Sequence, residues 1–365
     1  MDLPPENPTK PDNPTTPNGS ALTDKNGWDG KLRVGKKAEI VNAEVLSDPD
    51  YSDEDAPPVE QILADEDILD DYEKDTDEID LVHSRISSIP ALRLDRFPKI
   101  ERLCLRQNQI SRIEFPSNIG PSLQELDLYD NLISHIRGLD HLLHLTSLDL
   151  SFNKIKHVKN VNHLKELKDL YFVQNKIQKI ENLEGLEKLR NLELAANRIR
   201  EIENLDTLTG LEELWLGKNK ITELKNVDSL ANLKILSIQS NRLPVISGLD
   251  ALVNLEELYI SHNALTQISG LDNNRNLRVI DISSNQISQL TNLKHLQHLE
   301  EVWASSNQLS SFDEVEKELA DKKELTTVYF EGNPLQTKSP ALYRNKVRLA
   351  LPQIKQIDAT FVRVA

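Results

Sequence analysis

The chain has 365 residues, of which 28% are charged and 38% hydrophobic, and its formal net charge is −16. No apolar run reaches the ~18 residues that a membrane-spanning helix needs, and the single cysteine, Cys104, excludes an internal disulfide and a paired-cysteine metal site. The first residues hold no basic stretch followed by an apolar one, so we expect no secretion and a location in the nucleus and cytoplasm.

The acidity is concentrated in the first 77 residues. They hold 21 acidic and 7 basic side chains, a net charge of −14, whereas residues 78–365 hold 38 acidic and 36 basic ones, a net charge of −2. Neither nucleic acid nor an anionic membrane surface is attracted by this balance, so neither is an expected partner.

Residues 1–75 are predicted to be a disordered acidic tail. Their prolines and acidic residues bury too little apolar surface to offset the entropy lost when the backbone is ordered. Within this tail, Lys31–Leu46 and Val59–Tyr72 space their apolar residues as a helix does. Either segment could fold on a partner or against the first repeat.

A repeated pattern, L-x-x-L-x-L-x-x-N-x-I/L, occupies the chain from Leu103 onward. Its asparagines mostly follow one another at intervals of 22 residues, with an interval of 23 at the start and of 26 at the end. A degenerate copy around Ser84 makes twelve copies in all. This period is typical of leucine-rich repeats. The repeat asparagines are Asn108, Asn131, Asn153, Asn175, Asn197, Asn219, Asn241, Asn263, Asn285, Asn307 and Asn333.

The pattern predicts an α/β solenoid, a leucine-rich-repeat horseshoe of about twelve repeats of 22 residues with a parallel β-sheet on the concave face. No single copy can bury its apolar side alone, so the repeats must stack into one continuous core. Where each strand ends, the repeat asparagine is expected to turn inward and pair with backbone groups that would otherwise be buried without a partner. The array is predicted over residues 76–336 and a C-terminal helical cap over residues 337–365.

An open array needs a cap at both ends. At the C-terminal end, Ser339 and Pro340 are typical of a helix start, and four apolar residues beyond them are expected to cover the last leucines. At the N-terminal end, Glu78–Ile89 and the segment Val59–Tyr72 are expected to do the same. The four apolar residues of the C-terminal cap are Leu342, Val347, Leu349 and Leu351.

In each copy the residue between the two leucines of L-x-L is predicted to face the concave side, because side chains alternate across a strand. Five of these twelve residues are aromatic, in a chain that is 5% aromatic. Alternate strands would place the rings roughly 10 Å apart, protruding into solvent. The twelve residues are Asp80, Cys104, Asp127, Asp149, Tyr171, Glu193, Trp215, Ser237, Tyr259, Asp281, Trp303 and Tyr329; flanking concave positions add Glu125, Tyr129, Phe152, Glu213, Glu257 and Glu301.

This row of aromatic and acidic residues indicates a protein-binding face. A preference of aromatic residues for strands explains their presence but not their concentration on the solvent side of the sheet. Trp and Tyr are the residue types that dominate binding hot spots, and the acids favour a partner surface rich in Lys and Arg.

No catalytic or cofactor-binding pattern is present in the sequence. There is no GxSxG motif, P-loop or dinucleotide fingerprint. Two histidine pairs, His141 with His144 and His295 with His298, lack both the HExxH arrangement and a third ligand nearby. We therefore predict a protein that is not an enzyme and that holds no cofactor and no metal.

Several copies are more specific than the generic repeat. These passages are "LCLRQNQI", "LDLYDN", "LWLGKNKIT", "QSNRL", "VYFEGNPLQ" and the terminal "YRNKVRLALPQIKQIDATFVR". With them the chain, from about residue 78 to residue 365, resembles the leucine-rich-repeat regulatory subunits of type 1 protein serine/threonine phosphatase, the regulatory subunit 7 family.

The resemblance implies a partner and an interface. The partner is the catalytic subunit of type 1 protein phosphatase, held on the concave face, with roles in its maturation, localisation and inhibition. A ternary complex with a further inhibitor protein is also implied, and the protein alone is expected to be a monomer. The alternation of acids and aromatics adds Tyr259 to the interface. The residues that the resemblance assigns to the interface are Asp149, Tyr171, Glu193, Trp215, Asp281, Glu301, Trp303 and Tyr329.

One alternative from a different class stays open. A leucine-rich-repeat scaffold that bridges other proteins, with no role in dephosphorylation, would show the same repeat pattern. No short R/K-V-x-F docking motif is evident, so recognition is expected to depend on the folded concave wall. The sequence leaves open whether binding inhibits, stabilises or delivers the phosphatase.

Overall fold

The computed structural model describes residues 68–362. Residues 1–67 and 363–365 lie outside this description, and with them most of the predicted acidic tail, including Lys31–Leu46 and the larger part of Val59–Tyr72. Within the described residues, fourteen strands form one sheet in which each strand pairs with its neighbours in the chain.

Twelve of the strands are three residues long, one in each predicted repeat. They pair in parallel with equivalent residues side by side, so that Leu192, Leu214 and Leu236 lie in one row. The predicted horseshoe with a parallel concave sheet is confirmed. The strands are β1 Glu78–Asp80, β2 Arg102–Cys104, β3 Glu125–Asp127, β4 Ser147–Asp149, β5 Asp169–Tyr171, β6 Asn191–Glu193, β7 Glu213–Trp215, β8 Ile235–Ser237, β9 Glu257–Tyr259, β10 Val279–Asp281, β11 Glu301–Trp303 and β12 Thr327–Tyr329.

The return segments are built mainly from turns, with few helices in the described range. Short 3-10 helices occur at Pro90–Leu92, Leu94–Arg96 and Ser117–Ile119. The 26-residue interval near the end of the array accommodates helix α1, Phe312–Leu319, whose N-cap Ser311 accepts a hydrogen bond from the Glu314 amide. No helix in the described residues combines the length and the apolar character needed to cross a bilayer.

The leucines and isoleucines of successive repeats make one continuous core. Leu214, the central residue of β7, is fully buried, as are its neighbours Leu192 and Leu236. Burying one such side chain contributes roughly 1.5–3 kcal/mol, but only when a repeat on each side shields it. Stacking is therefore the condition for stability, as the sequence predicts.

The repeat asparagines join each repeat to the one before it. The Nδ2 of Asn219 donates to the carbonyl oxygens of Leu216 at 3.0 Å and of Leu194, one repeat earlier, at 2.9 Å. Its Oδ1 accepts a hydrogen bond from the amide of Ile199 at 2.9 Å. The same arrangement recurs along the array, for example at Asn153 and Asn285. The predicted inward turn of the asparagine side chain is confirmed.

A second row of asparagine and glycine residues, which the sequence analysis did not single out, supports the return segments. It lies seven residues after the repeat asparagine, and its residues have positive φ angles. The Nδ2 of Asn204 donates to the carbonyl of Ile180 at 2.6 Å, and Asn182 and Asn226 make the equivalent bonds. Asparagine and glycine tolerate this left-handed conformation better than other residues, which explains why one or the other occupies most of these positions.

Residues that precede the first strand cover the N-terminal end of the array. Leu69 is buried in the core, and the hydroxyl of Tyr72 donates to the carbonyl of Asp80 in β1. Arg96 forms an ion pair with Asp70 at 2.6 Å. Residues 68–72, the described part of Val59–Tyr72, therefore pack on the first repeat and help to cover its open end, as the sequence predicts.

The C-terminal cap contains helices α2, Pro334–Thr337, and α3, Pro340–Ala350. The predicted helix start at Ser339 and Pro340 is confirmed. Val347 and Leu351 are buried as predicted, together with Tyr343. Leu342 and Leu349 are 55% and 79% exposed, so the prediction that they cover the core is wrong. Their positions on α3 lie opposite the stripe formed by Tyr343, Val347 and Ala350.

Two short strands, β13 Gln356–Ile357 and β14 Thr360–Phe361, extend the sheet beyond the last repeat. The side chain of Asp358, in the turn between them, takes the place of a strand carbonyl: Leu216, at the position equivalent to Phe330, donates its amide to the Ser237 carbonyl of the next strand. The Oδ1 of Asp358 accepts hydrogen bonds from the amides of Phe330 and Glu331 and from the hydroxyl of Tyr343. The last buried amides of the array thus receive partners although no further repeat follows.

We expect Asn219→Ala to lower the free energy of unfolding by about 1–3 kcal/mol, because buried backbone groups on two repeats lose their partners. Urea unfolding followed by circular dichroism measures the effect. Asn232→Ala is the matched control, since Asn232 also donates to a carbonyl of the preceding repeat but is exposed. Equal stability of Asn219→Ala and the wild type would contradict the structural role of this asparagine.

Asp358→Ala is expected to destabilise the chain by about 1–3 kcal/mol in the same assay, because the buried Phe330 amide loses its acceptor. Asp358→Asn keeps an oxygen at this place and should recover most of the loss. If Asn is as damaging as Ala, the hydrogen bonds at this end of the sheet are not the reason for the effect.

Candidate protein-binding surface

The first and third residues of each strand lie on the concave face, while the central residue is buried in the core. All nine predicted interface residues occupy such concave positions. Eight of them are partly exposed, whereas Asp281 is 8% exposed and therefore buried, contrary to the prediction that it protrudes. Their strands are β4 for Asp149, β5 for Tyr171, β6 for Glu193, β7 for Trp215, β9 for Tyr259, β10 for Asp281, β11 for Glu301 and Trp303, and β12 for Tyr329.

Four of the rings form a continuous row, the aromatic ladder, which consists of Trp215, Tyr259, Trp303 and Tyr329. The ring centroids of Trp215 and Tyr259 are 6.3 Å apart, those of Tyr259 and Trp303 6.1 Å, and those of Trp303 and Tyr329 5.6 Å. The predicted spacing of roughly 10 Å is wrong. The rings lean towards each other and reach the 4.5–7 Å at which aromatic pairs attract.

The contacts between the rings of the aromatic ladder explain why two polar residues of the concave face are buried. Ser237 lies between the strands of Trp215 and Tyr259 and is 1% exposed. Asp281 lies in the same way between the strands of Tyr259 and Trp303. Its Oδ1 accepts a hydrogen bond from the Ser283 amide. Both side chains sit beneath the rings, so the ladder and not these polar groups presents the surface to a partner.

A glutamate two residues before each of three ladder residues holds the ring in place. Because residues i and i+2 of a strand share a face, the carboxylate accepts a hydrogen bond from the polar atom of the ring. The sequence predicts all three glutamates on the concave side, but only Glu301 is among the predicted interface residues. The bonds join Trp215 Nε1 to Glu213 at 3.2 Å, Tyr259 OH to Glu257 at 2.7 Å, and Trp303 Nε1 to Glu301 at 2.8 Å.

The last ring of the ladder is held by the cap. The hydroxyl of Tyr329 accepts a hydrogen bond from Nε2 of Gln356, a residue of β13, at 2.8 Å. The position of Tyr329 therefore depends on a strand that sequence periodicity does not predict.

The middle of the concave face is acidic. Burial raises the pKa of Glu193, and the nearby charges of Asp149 and Glu213 raise it further. Burial also raises the pKa of Asp169, with Glu213 adding to the effect. For Tyr171, burial and the charges of Asp169, Glu193 and Asp149 raise the pKa to about 12. Negative charge is thus crowded here, and a cationic partner group would relieve it.

Asp127 and Asp169 also belong to this acidic region but are absent from the predicted interface. Burial and the charge of Asp149 raise the pKa of Asp127. Both residues occupy concave strand positions. The alternation of side chains along the strand was the signal that could have identified Asp169, which precedes Tyr171 by two residues.

The amino ends of the strands carry a separate groove of about 930 Å³. It is lined by a row of alternating charges that pair across repeats. Glu212 accepts hydrogen bonds from Arg190 and from Lys234, and Arg278 pairs with Glu300 at 2.9 Å. Because these charges neutralise one another, the groove offers no uncompensated field to a ligand.

The histidine pairs lie in the return segments, away from the concave wall. His295 Nε2 is 2.9 Å from the carbonyl oxygen of Leu271, and His298 pairs with Glu324 at 3.3 Å. Residues 68–362 contain no group of three or more His, Cys, Asp or Glu side chains placed to hold a metal ion.

Comparisons with known proteins agree with this architecture. Family models described as "Leucine-rich repeat" and "Leucine Rich repeats (2 copies)" match residues 146–241, and residues 231–273 and 253–295. A leucine-rich-repeat protein from Leptospira interrogans of known structure is 26% identical, with a TM-score of 0.58, over 72% of this chain and 73% of its own.

Two relatives carry functional names. The chain is 70% identical over 309 residues to "Protein phosphatase 1 regulatory subunit SDS22" of Schizosaccharomyces pombe, which covers 84% of this chain and 92% of that protein. It is 63% identical over 46 residues to the human "Protein phosphatase 1 regulatory subunit 7", which covers 13% of this chain and 12% of the human protein.

The raised pKa of Glu193 leads us to expect that the stability of the protein depends on pH. A carboxyl group with a raised pKa in the folded state favours folding below its ordinary pKa, and this contribution is lost as the pH rises through the folded-state pKa. We therefore expect Glu193→Gln to become more stable than the wild type as the pH rises from about 4 to about 7. Urea unfolding across this range measures the difference.

Glu166→Gln is the control of opposite sign. Lys188 lowers the pKa of Glu166, so the neutral variant should lose stability relative to the wild type over the same rise in pH. If the free energy of unfolding of Glu193→Gln changes with pH in the same way as that of the wild type, the crowding of charge around this residue is contradicted.

Proposed function

This chain belongs to the SDS22 family of protein phosphatase 1 regulatory subunits, and from that premise we propose that its concave face binds the catalytic subunit of type 1 protein serine/threonine phosphatase. The chain is a regulatory protein and not an enzyme. The observation that supports the proposed face most directly is the aromatic ladder with its glutamate partners.

The ladder has the properties of a binding hot spot. Its four rings are partly exposed, they contact one another, and three of them are oriented by a carboxylate. Rings that are already fixed lose little conformational freedom when a partner covers them, so more of the contact free energy remains as affinity. Trp and Tyr are also the residues most enriched at hot spots.

The acidic region next to the ladder supports a partner with a basic surface. The negative charges of Asp149 and Glu213 add to the effect of burial in raising the pKa of Glu193. Lys or Arg side chains of a partner would remove this repulsion and would speed and orient the encounter. The association is therefore expected to weaken as the salt concentration rises.

Four finer features rest on the family alone. We propose that binding controls the maturation, localisation and activity of the phosphatase. We propose further that the chain is a monomer without its partner, that the complex admits a further inhibitor protein, and that the protein acts in the nucleus and the cytoplasm. The support for these features is membership of the family.

Trp303→Ala and Trp215→Ala are each expected to weaken binding of the purified catalytic subunit by at least about 2 kcal/mol, roughly 30-fold in Kd, as for central aromatic hot spots. Isothermal titration calorimetry measures the change. Leu349→Ala is the control, because Leu349 is an exposed apolar residue on the cap, away from the ladder.

Urea unfolding must show that the tryptophan variants remain folded. If both tryptophan variants bind the catalytic subunit with the same Kd as the wild type, the proposed binding face is wrong. Absence of any binding by the wild type would favour the alternative, a scaffold that bridges other proteins.

A further inference from the structure

The fourth repeat carries an exposed aromatic side chain that neither the core nor the backbone requires. Phe152 is 40% exposed. It immediately precedes the repeat asparagine Asn153 and has a φ of 54°. A bulky residue rarely adopts a positive φ, and such strain is often found at functional sites.

The fold imposes a positive φ on the equivalent position of the other repeats as well, but it does not require a phenylalanine there. In each repeat from the second to the twelfth, the residue before the repeat asparagine has a positive φ. Among these eleven residues Phe152 is the only large apolar one; the others are Gln107, Asp130, Gln174, Ala196, Lys218, Ser240, His262, Ser284, Ser306 and Gly332. Smaller or more polar residues satisfy the same backbone without exposing an apolar ring.

The ring of Phe152 is part of a small cluster. Its centroid is 4.7 Å from that of Tyr129, with 43° between the ring planes. The guanidinium of Arg106 lies over the Tyr129 ring, 4.2 Å from its centroid, and Arg106 also pairs with Asp127 at 3.2 Å. We call Phe152, Tyr129 and Arg106 the amino-terminal cluster. The tilted contact between the two rings and the cation–π contact of Arg106 fix the three side chains before any partner arrives.

The cluster places large side chains at a position of the concave wall that most later repeats fill with small ones. Arg106 and Tyr129 stand two residues before their repeat asparagines. The equivalent residues of the next eight repeats are mostly small: Ser151, Val173, Ala195, Gly217, Gln239, Ser261, Ser283 and Ser305. A partner that follows the wall therefore meets a projection at its amino-terminal end.

The cluster is continuous with the acidic region. Asp127 of β3 is in register with Asp149 of β4, and Asp149 with Tyr171 of β5. Three strand spacings, roughly 14 Å, separate β4 from β7, where the aromatic ladder begins. The acidic region lies between the two aromatic groups, so a single partner surface can reach both.

We propose that the amino-terminal cluster is a second anchor for the phosphatase catalytic subunit, with Phe152 entering an apolar recess on that partner. This inference rests on the proposed function. A partner held only by the aromatic ladder could shift along the array. Anchors on both sides of the acidic region fix its position and its direction. Phe152 then serves binding, and the cost in stability is that of an exposed bulky ring at a position where the fold requires a positive φ.

The test compares Phe152→Ser with the wild type by calorimetry against the purified catalytic subunit. Serine occupies the same register at Ser240, Ser284 and Ser306, so the backbone accepts it. We expect Kd to rise about 10-fold or more, while the urea midpoint stays equal or rises because an exposed ring is removed from a strained position. Lys218→Ser, at the same register but outside the cluster, is the matched control and should leave Kd unchanged.

The outcomes separate the two proposals. If the wild type binds and Trp303→Ala weakens binding, but Phe152→Ser binds as the wild type does, the second anchor is refuted and the proposed function stands. If the wild type does not bind, the proposed function fails first. A fall in stability of Phe152→Ser with no change in Kd would show that the ring serves folding instead. Tyr129→Ser should weaken binding as Phe152→Ser does, since Ser151 fills that register in the next repeat.

Discussion

The hydrogen bonds of the repeat asparagines are the constraint on which the rest of this structure depends. Each side chain bonds to backbone groups of its own turn and of the turn before it, so that successive repeats are joined at one fixed offset. Because the offset repeats, equivalent residues of the strands lie side by side along the concave face. An interface of single residues from many strands is possible only on such a regular support, and a shift of one repeat would separate the rings from one another.

At the two ends of the array, residues outside the repeat pattern cover the core and supply hydrogen-bond partners. At the N-terminal end Leu69 and Tyr72 cover the first repeat, and at the C-terminal end Asp358 supplies the acceptor that a strand carbonyl supplies in the other repeats. Helix α1 adds a buried carboxylate, because Glu318 accepts hydrogen bonds from the amides of Leu293 and Lys294. Buried polar groups without partners are costly, and each irregular element supplies partners where the repeat is interrupted.

The concave face is less favourable for folding than the core beneath it. Carboxylates with raised pKa values, partly exposed rings and a phenylalanine at a positive φ all reduce the stability that the same fold could reach with small polar residues. Sites built for recognition commonly carry such a penalty. The side chains are nevertheless held firmly, by ring contacts, by glutamates two residues away and by Gln356 of the cap. The surface is therefore organised before a partner binds.

The sequence alone determined the repeat architecture, the inward asparagines and the concave row, because a 22-residue period and the two-residue alternation of strands are local rules that hold in every copy. The distances between rings needed the tertiary structure, since the lean of Trp215 towards Tyr259 depends on neighbours 44 residues apart in the chain. The same holds for the burial of Asp281 and for the exposure of Leu349, which depend on what packs above each residue. Local pattern places a side chain on a face, and only the packed neighbours decide whether that face meets solvent.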